Sequence, residues 1–195
     1  MSVLIGLTGP TGAGKSTVSG AAEKFGFKVI DCDKTARKAT EKGTEGLTAL
    51  VKAFGDGILL PDGSLNRKAL AAKAFKSAEA TELLNDTLLP YIVRLIYSEA
   101  GDGNCLLDAP TLFESGIDTA CFKTIAVLAD RETRKKRIIE RDGLSEKEAL
   151  LRMNAGKNDD FYKSRADCII YNNGDENAVI KRFSDILKKI TEELQ

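Results

Sequence analysis

The stretch Gly9-Pro10-Thr11-Gly12-Ala13-Gly14-Lys15-Ser16 constrains this chain more than any other part of it. It fits the pattern G-x-x-x-x-G-K-[ST] at every position. An apolar, β-rich run from Val3 to Thr8 precedes it, and a helical pattern over residues 15–25 follows. Glycines let such a loop turn so tightly that successive backbone N–H groups point inward and form a nest for an anion. The N-terminus of the following helix adds its partial positive charge. The spacing predicts that Gly12, Ala13, Gly14, Lys15, Ser16 and Thr17 cradle the phosphates of a nucleotide. Lys15 reaches the β- and γ-phosphates, the Ser16 hydroxyl holds Mg²⁺, and Thr17 bonds the α-phosphate.

A strand, loop and helix of this kind belong to a layered α/β architecture. Four more short apolar runs read as strands, at residues 27–31, 104–108, 124–128 and 167–171. They are apolar almost throughout rather than alternating, as strands covered on both faces are. Helical patterns separate them, at residues 34–54, 67–100, 131–141, 145–154 and 176–194. The prediction is one α/β domain over residues 1–195, a five-stranded parallel sheet with helices on both faces and the first strand near its centre. The core takes residues 1–33 and 104–195. The interval 34–103 is too long for one crossover, so it is expected to form a helical subdomain for the acceptor substrate, with turns at Gly55-Asp56-Gly57 and Pro61-Asp62-Gly63-Ser64.

Charge and composition exclude several functions. The 29 basic side chains are matched by 29 acidic ones, which argues against a duplex nucleic-acid partner. The 4 cysteines are scattered, with no C-x-x-C, so neither a zinc site nor a disulfide framework is expected, and a reducing, cytoplasmic setting is. The start of the chain has no basic segment followed by a long apolar one, and no apolar run approaches the ~18 residues of a membrane span. The chain contains 0 histidines. A proton acceptor working near neutral pH is therefore Asp, Glu, an activated Lys or Cys, or water.

Carboxylates stand where a metal–phosphate site needs them. The second strand ends in Asp31-Cys32-Asp33 and the third in Asp108. Asp33 is the candidate proton acceptor for an attacking hydroxyl, at the mouth of the inserted subdomain. Asp108 is placed to bond metal-bound water, and Asp31 to face the core edge or cap the next helix. After the fourth strand, Arg134, Arg137 and Arg141 recur at helical spacing. They suggest a lid over about residues 131–160, with Arg137 and Arg141 closing on the polyphosphate.

These segments, in this order, resemble dephospho-CoA kinases through nearly the whole chain. The resemblance rests on Gly6 to Thr17, on Val29-Ile30-Asp31-Cys32-Asp33 with Ala36-Arg37, and on Asp62-Gly63-Ser64-Leu65-Asn66-Arg67. It continues through Leu107 to Gly116, Arg137 to Ser145, and Ala166-Asp167 with Asn172-Asn173-Gly174. It implies the P-loop kinase fold with a helical acceptor domain and a lid. It implies ATP with Mg²⁺ as phosphoryl donor, and transfer to the ribose 3′-hydroxyl of dephospho-CoA to give coenzyme A and ADP. It also suggests Asp33 as the group that takes the hydroxyl proton. Lys15 and Arg141 are the other expected catalytic groups, and the protein is expected to be a monomer or small homo-oligomer. The chain departs from the family at two places. Leu89-Pro90 stands where His-Pro is usual, and Asn154-Ala155-Gly156-Lys157-Asn158 where a Gln is usual. The phosphate loop alone also admits another small-molecule kinase, or a GTP-driven switch. A switch would carry Asn-Lys-x-Asp for guanine and Asp-x-x-Gly after the third strand, and the sequence has neither.

Overall fold

A computed structural model describes residues 3–193; Met1, Ser2, Leu194 and Gln195 lie outside it, so the last expected helical residue, Leu194, is not part of the description. Five strands form one sheet: β1 (Leu4–Thr8), β2 (Lys28–Asp31), β3 (Cys105–Asp108), β4 (Lys123–Leu128) and β5 (Cys168–Tyr171). All pairings are parallel and the order is β2-β3-β1-β4-β5, with β1 in the middle as expected.

Alternation along the central strands divides the core in two. Ile5 and Leu7 of β1, Leu106 of β3, and Ile125 and Val127 of β4 pack against α1 (Lys15–Ala22) and α9 (Glu176–Glu192). Leu4, Ile30 and Leu107 face the other way, onto α2 (Cys32–Ala39) and α5 (Ala78–Ala100). The central strands β1, β3 and β4 are thus buried on both sides, which is why their sequences are near-continuous apolar runs, while the edge strands β2 and β5 are partly exposed.

The insertion between β2 and β3 is helical but more divided than the sequence pattern. Residues 34–54 hold two helices, α2 and α3 (Glu45–Phe54), and residues 67–100 hold α4 (Arg67–Ala74) and α5. The breaks are made by caps. The Thr44 hydroxyl accepts from Leu47 N, and the Ser77 hydroxyl accepts from Ala80 N. Such side chains offer the backbone a partner outside the helix and restart it. Leu50, Ile58, Leu70 and Ala74 give this region a small core of its own. Leu89, in the middle of α5, is partly buried and packs against the main core.

The region after β4 contains α6 (Arg131–Asp142), α7 (Glu146–Asn154) and α8 (Asp159–Lys163). A capping box between Ser145 and Glu148 starts α7. The five-residue α8 has no expectation in the sequence, because it is too short to show a period.

Candidate active site

The loop between β1 and α1 has the backbone that its glycines allow. Gly14, the residue before α1, has φ 86°, and a Cβ there would lie 2.3 Å from Asn172 Nδ2. A Cβ at Gly9 would lie 2.2 Å from the Val127 carbonyl oxygen. Any other residue at these positions would force the loop off β4 and β5. No side chain caps α1 and its first turn has no acidic residue, so the N–H groups of that turn face the cleft unpaired by side chains.

A cleft of about 520 Å³ opens at the carboxyl ends of β1, β2 and β3. Gly12, Gly14, Lys15 and Ser16 line one wall, and Asp31, Asp33 and Asp108 another. Parallel register puts Asp31 of β2 directly beside Asp108 of β3. Arg141, Arg152 and Lys157 reach the cleft from the α6–α8 region, and Thr111, Glu114 and Tyr162 complete it. Ala13 is fully buried in the core behind the loop, and Thr17 does not line the cleft, so of the expected cradle these two contribute through backbone and helix start alone.

The three strand-end carboxylates differ in their surroundings. Asp31 caps α2: its carboxylate accepts from Lys34 N at 3.0 Å and pairs with Lys34 Nζ at 3.1 Å. Partial burial pushes its pKa up, but these Lys34 contacts outweigh burial and hold it below the usual carboxylate range. Asp33 lies just beyond its strand, which ends at Asp31, and in the first turn of α2, because the helix starts at Cys32. It is exposed to the cleft. Asp108 is raised by burial, which the Lys15 ammonium and the Ser19 hydroxyl only partly offset, while Asp31 and Asp33 raise it further. Burial likewise pushes the Tyr162 hydroxyl up to about 12, with Glu114 adding to it. One oxygen of Glu114, Oε2, is shielded from solvent and has no hydrogen-bond partner among the described residues.

The arginines of α6 separate into two groups, against the expectation that they share one exposed face. Arg134 is buried; its Nε donates to Thr11 O at 3.0 Å and its Nη1 pairs with Asp159 at 3.1 Å. Arg137 does not line the cleft. Its Nη1 donates to Ala13 O (3.2 Å), Gly12 O (3.4 Å) and Asn172 O (3.0 Å), and its Nη2 to Asn172 Oδ1 (3.0 Å). This corrects its expected place on the phosphates: it stands behind the loop. Arg141 is exposed and reaches the cleft as expected. It forms a two-pronged pair with Asp142 (2.8 and 2.9 Å), which also binds Arg152 Nη1 at 2.8 Å. Arg152, Glu114 and Tyr162 escaped the sequence reading. Glu114 lies in a segment that carried the resemblance, but nothing local distinguishes Arg152 from a solvated helix residue.

The profile of the dephospho-CoA kinase family matches residues 3–178. A dephospho-CoA kinase of Listeria monocytogenes serotype 4b is 37% identical over 195 residues, covering 97% of this chain and 98% of the relative. One of Mycobacterium tuberculosis is 40% identical over 186 residues, which is 93% of this chain but 46% of the relative; the chain spans about half the length of the mycobacterial proteins it matches. A crystal structure from Thermus thermophilus superposes with a TM-score of 0.73 at 31% identity, covering 100% of this chain and 98% of that one. A shikimate kinase from Bacteroides thetaiotaomicron shares the fold alone, with a TM-score of 0.55 at 15% identity over 95% of this chain and 98% of that one. The fold alone is shared with kinases of other substrates, and the match over residues 3–178 is what narrows it: the chain belongs to the dephospho-CoA kinase family.

Proposed function

We propose that this chain transfers the γ-phosphoryl group of ATP to the 3′-hydroxyl of the ribose in dephospho-CoA, giving coenzyme A and ADP. The observation that carries the reading is a single cleft in which Lys15 and Ser16 face Asp33 and Asp108. Asp33 accepts a hydrogen bond from the ribose hydroxyl, aims its oxygen at the γ-phosphorus and takes the proton as the bond to phosphorus forms. The leaving group is the terminal oxygen of ADP. Lys15 follows the negative charge from the γ-phosphoryl oxygens to that oxygen, so it stabilises the transition state more than the ground state. Arg141 and Arg152 shield the transferring group from water, which would otherwise compete as acceptor.

The residues also suit Mg²⁺. A serine hydroxyl and carboxylates are hard oxygen donors, and among the described residues no three or more His, Cys, Asp or Glu side chains form a cage. Mg²⁺ keeps waters and takes phosphate oxygens as ligands, so one or two protein donors are enough. Ser16 would hold it directly and Asp108 through its waters. When bound it offsets phosphate charge.

All 4 cysteines are free thiols, which suits the reducing cytosol, where we place the reaction. No described helix is long and apolar enough to cross a membrane. The test is to incubate the protein with ATP, Mg²⁺ and dephospho-CoA and look for coenzyme A by mass spectrometry. Stoichiometric coenzyme A and ADP are expected. ADP without coenzyme A, or phosphorylation of shikimate in its place, would overturn the assignment.

A further inference from the structure

The back of the phosphate loop is bonded as completely as its front is open. Four consecutive carbonyl groups, of Thr11, Gly12, Ala13 and Gly14, each accept a hydrogen bond from a side chain. Arg134 Nε serves Thr11 at 3.0 Å; Arg137 Nη1 serves Gly12 at 3.4 Å and Ala13 at 3.2 Å; Asn172 Nδ2 serves Gly14 at 3.3 Å. Asn172 is buried, with 3% of its surface exposed, at the end of β5, where its own N–H donates to Leu128 O. Its Oδ1 accepts from Arg137 Nη2, so the amide is fixed in one orientation and Arg137 is fixed with it.

In a planar trans peptide the C=O and the N–H of the next residue point in opposite directions. Holding the carbonyls of residues 11, 13 and 14 backward therefore turns the N–H groups of Gly12, Gly14 and Lys15 forward, while the Ala13 N–H is bonded inside the loop to Pro10 O at 3.1 Å. Glycines in this loop are free to flip their peptide planes, so the orientation needs a cause outside the loop. We propose that Asn172 and Arg137 are positioning residues of the phosphate site: they set the direction of the loop's N–H groups and touch no substrate. The proposal rests on the phosphate-binding reading of the loop. It also divides the region expected to move as a lid. The first half of α6, anchored by Arg134 and Arg137, belongs to the core. What is left for the expected lid begins after Arg137 and carries the exposed Arg141 and Arg152.

Two substitutions isolate this role. Asn172→Asp keeps shape and the pair with Arg137, but replaces the donor to Gly14 O with an acceptor. Arg137→Lys keeps the charge and loses the fork that reaches Gly12, Ala13 and Asn172 together. Binding of ATP, of inorganic tripolyphosphate and of dephospho-CoA is measured by calorimetry, with the melting temperature of each variant. The expected result is a roughly tenfold or greater loss for ATP and tripolyphosphate alike, the size of a lost hydrogen bond to an oriented loop. Dephospho-CoA affinity should stay within twofold. Equal losses for all three ligands would show a general defect of folding and overturn the proposal, and so would unchanged tripolyphosphate binding in a folded variant. Should Asn172→Asp fail to fold, Arg137→Lys decides by the same criteria. Wild-type protein that binds no tripolyphosphate would refute the underlying phosphate site instead, so the two failures are distinct.

Discussion

Asp31 and Asp33 are two residues apart, carry the same side chain and line the same cleft, yet their surroundings give them different work. The Asp31 carboxylate is engaged at the N-cap, while Asp33 stands exposed two positions on, in the first turn of α2. Asp33→Asn should lower kcat by ~10²–10⁴-fold, the range for a positioned proton acceptor, with little change in melting temperature. Asp31→Ala should do the reverse, losing about 1 kcal/mol of stability through the lost cap. Steady-state kinetics and thermal melts on both variants check the pair, and an active Asp33→Asn enzyme would move the proton acceptor to Asp108. Asp108 offers a pH test. Its carboxyl is raised by burial, so the folded state disfavours its ionised form. The penalty is present above the raised pKa and vanishes below the unfolded one, where the group is protonated in both states. Asp108→Asn should therefore raise the melting temperature at pH 7, with the gain disappearing near pH 3, while activity falls. A variant less stable than wild type at pH 7 would contradict this.

At the scale of elements, α6 combines an anchored half and a presented end. Removing Arg137 leaves the Gly12, Ala13 and Asn172 carbonyl oxygens without their shared donor. Arg137→Ala should cost about 2 kcal/mol, or several degrees of melting temperature. Arg141 and Arg152 are 58% and 51% exposed at the side chain, and their pairs with Asp142 are surface pairs of little stabilising value. Arg141→Ala and Arg152→Ala should leave the melt almost unchanged and reduce kcat, by roughly tenfold or more if each guanidinium meets the transferring phosphoryl. A melt that falls with Arg141→Ala and holds with Arg137→Ala would reverse the assignment of the two halves.

For the whole molecule, the cleft is lined from four regions that are separate in the chain, residues 9–16, 31–33, 108–114 and 141–162. A ligand bound only by the native state stabilises all of it. ATP with Mg²⁺ at about 100 times Kd should add ~2.7 kcal/mol of stability, visible as a shift of the entire unfolding transition. GTP at the same concentration should shift it less, since the sequence has no Asn-Lys-x-Asp to read guanine. An equal or larger GTP shift in differential scanning calorimetry would favour the switch reading.

The local features were legible in the sequence because each is complete within a few consecutive residues. The phosphate loop from Gly9 to Ser16, the five apolar strands and the acidic strand ends need no distant partner to be recognised. Near-continuous apolar runs with intervening helices determined the parallel sheet, since such strands must be covered on both faces. The caps at Thr44 and Ser77 were present in the sequence too, but helical periodicity on both sides masked them. Tertiary structure alone decided which arginine reaches the cleft and which holds the loop. Arg137 and Arg141 sit one helical turn apart with the same chemistry, and only the arrival of residues 12, 13 and 172 beside Arg137 distinguishes them. Arg152 and Tyr162 came to line the cleft in the same way, because packing of α7 and α8 delivered them to a phosphate loop and β2 carboxylates more than a hundred positions earlier. A sequence pattern specifies what a segment is able to do within its own few turns; the fold selects, by bringing distant groups into contact, which of those capacities is used.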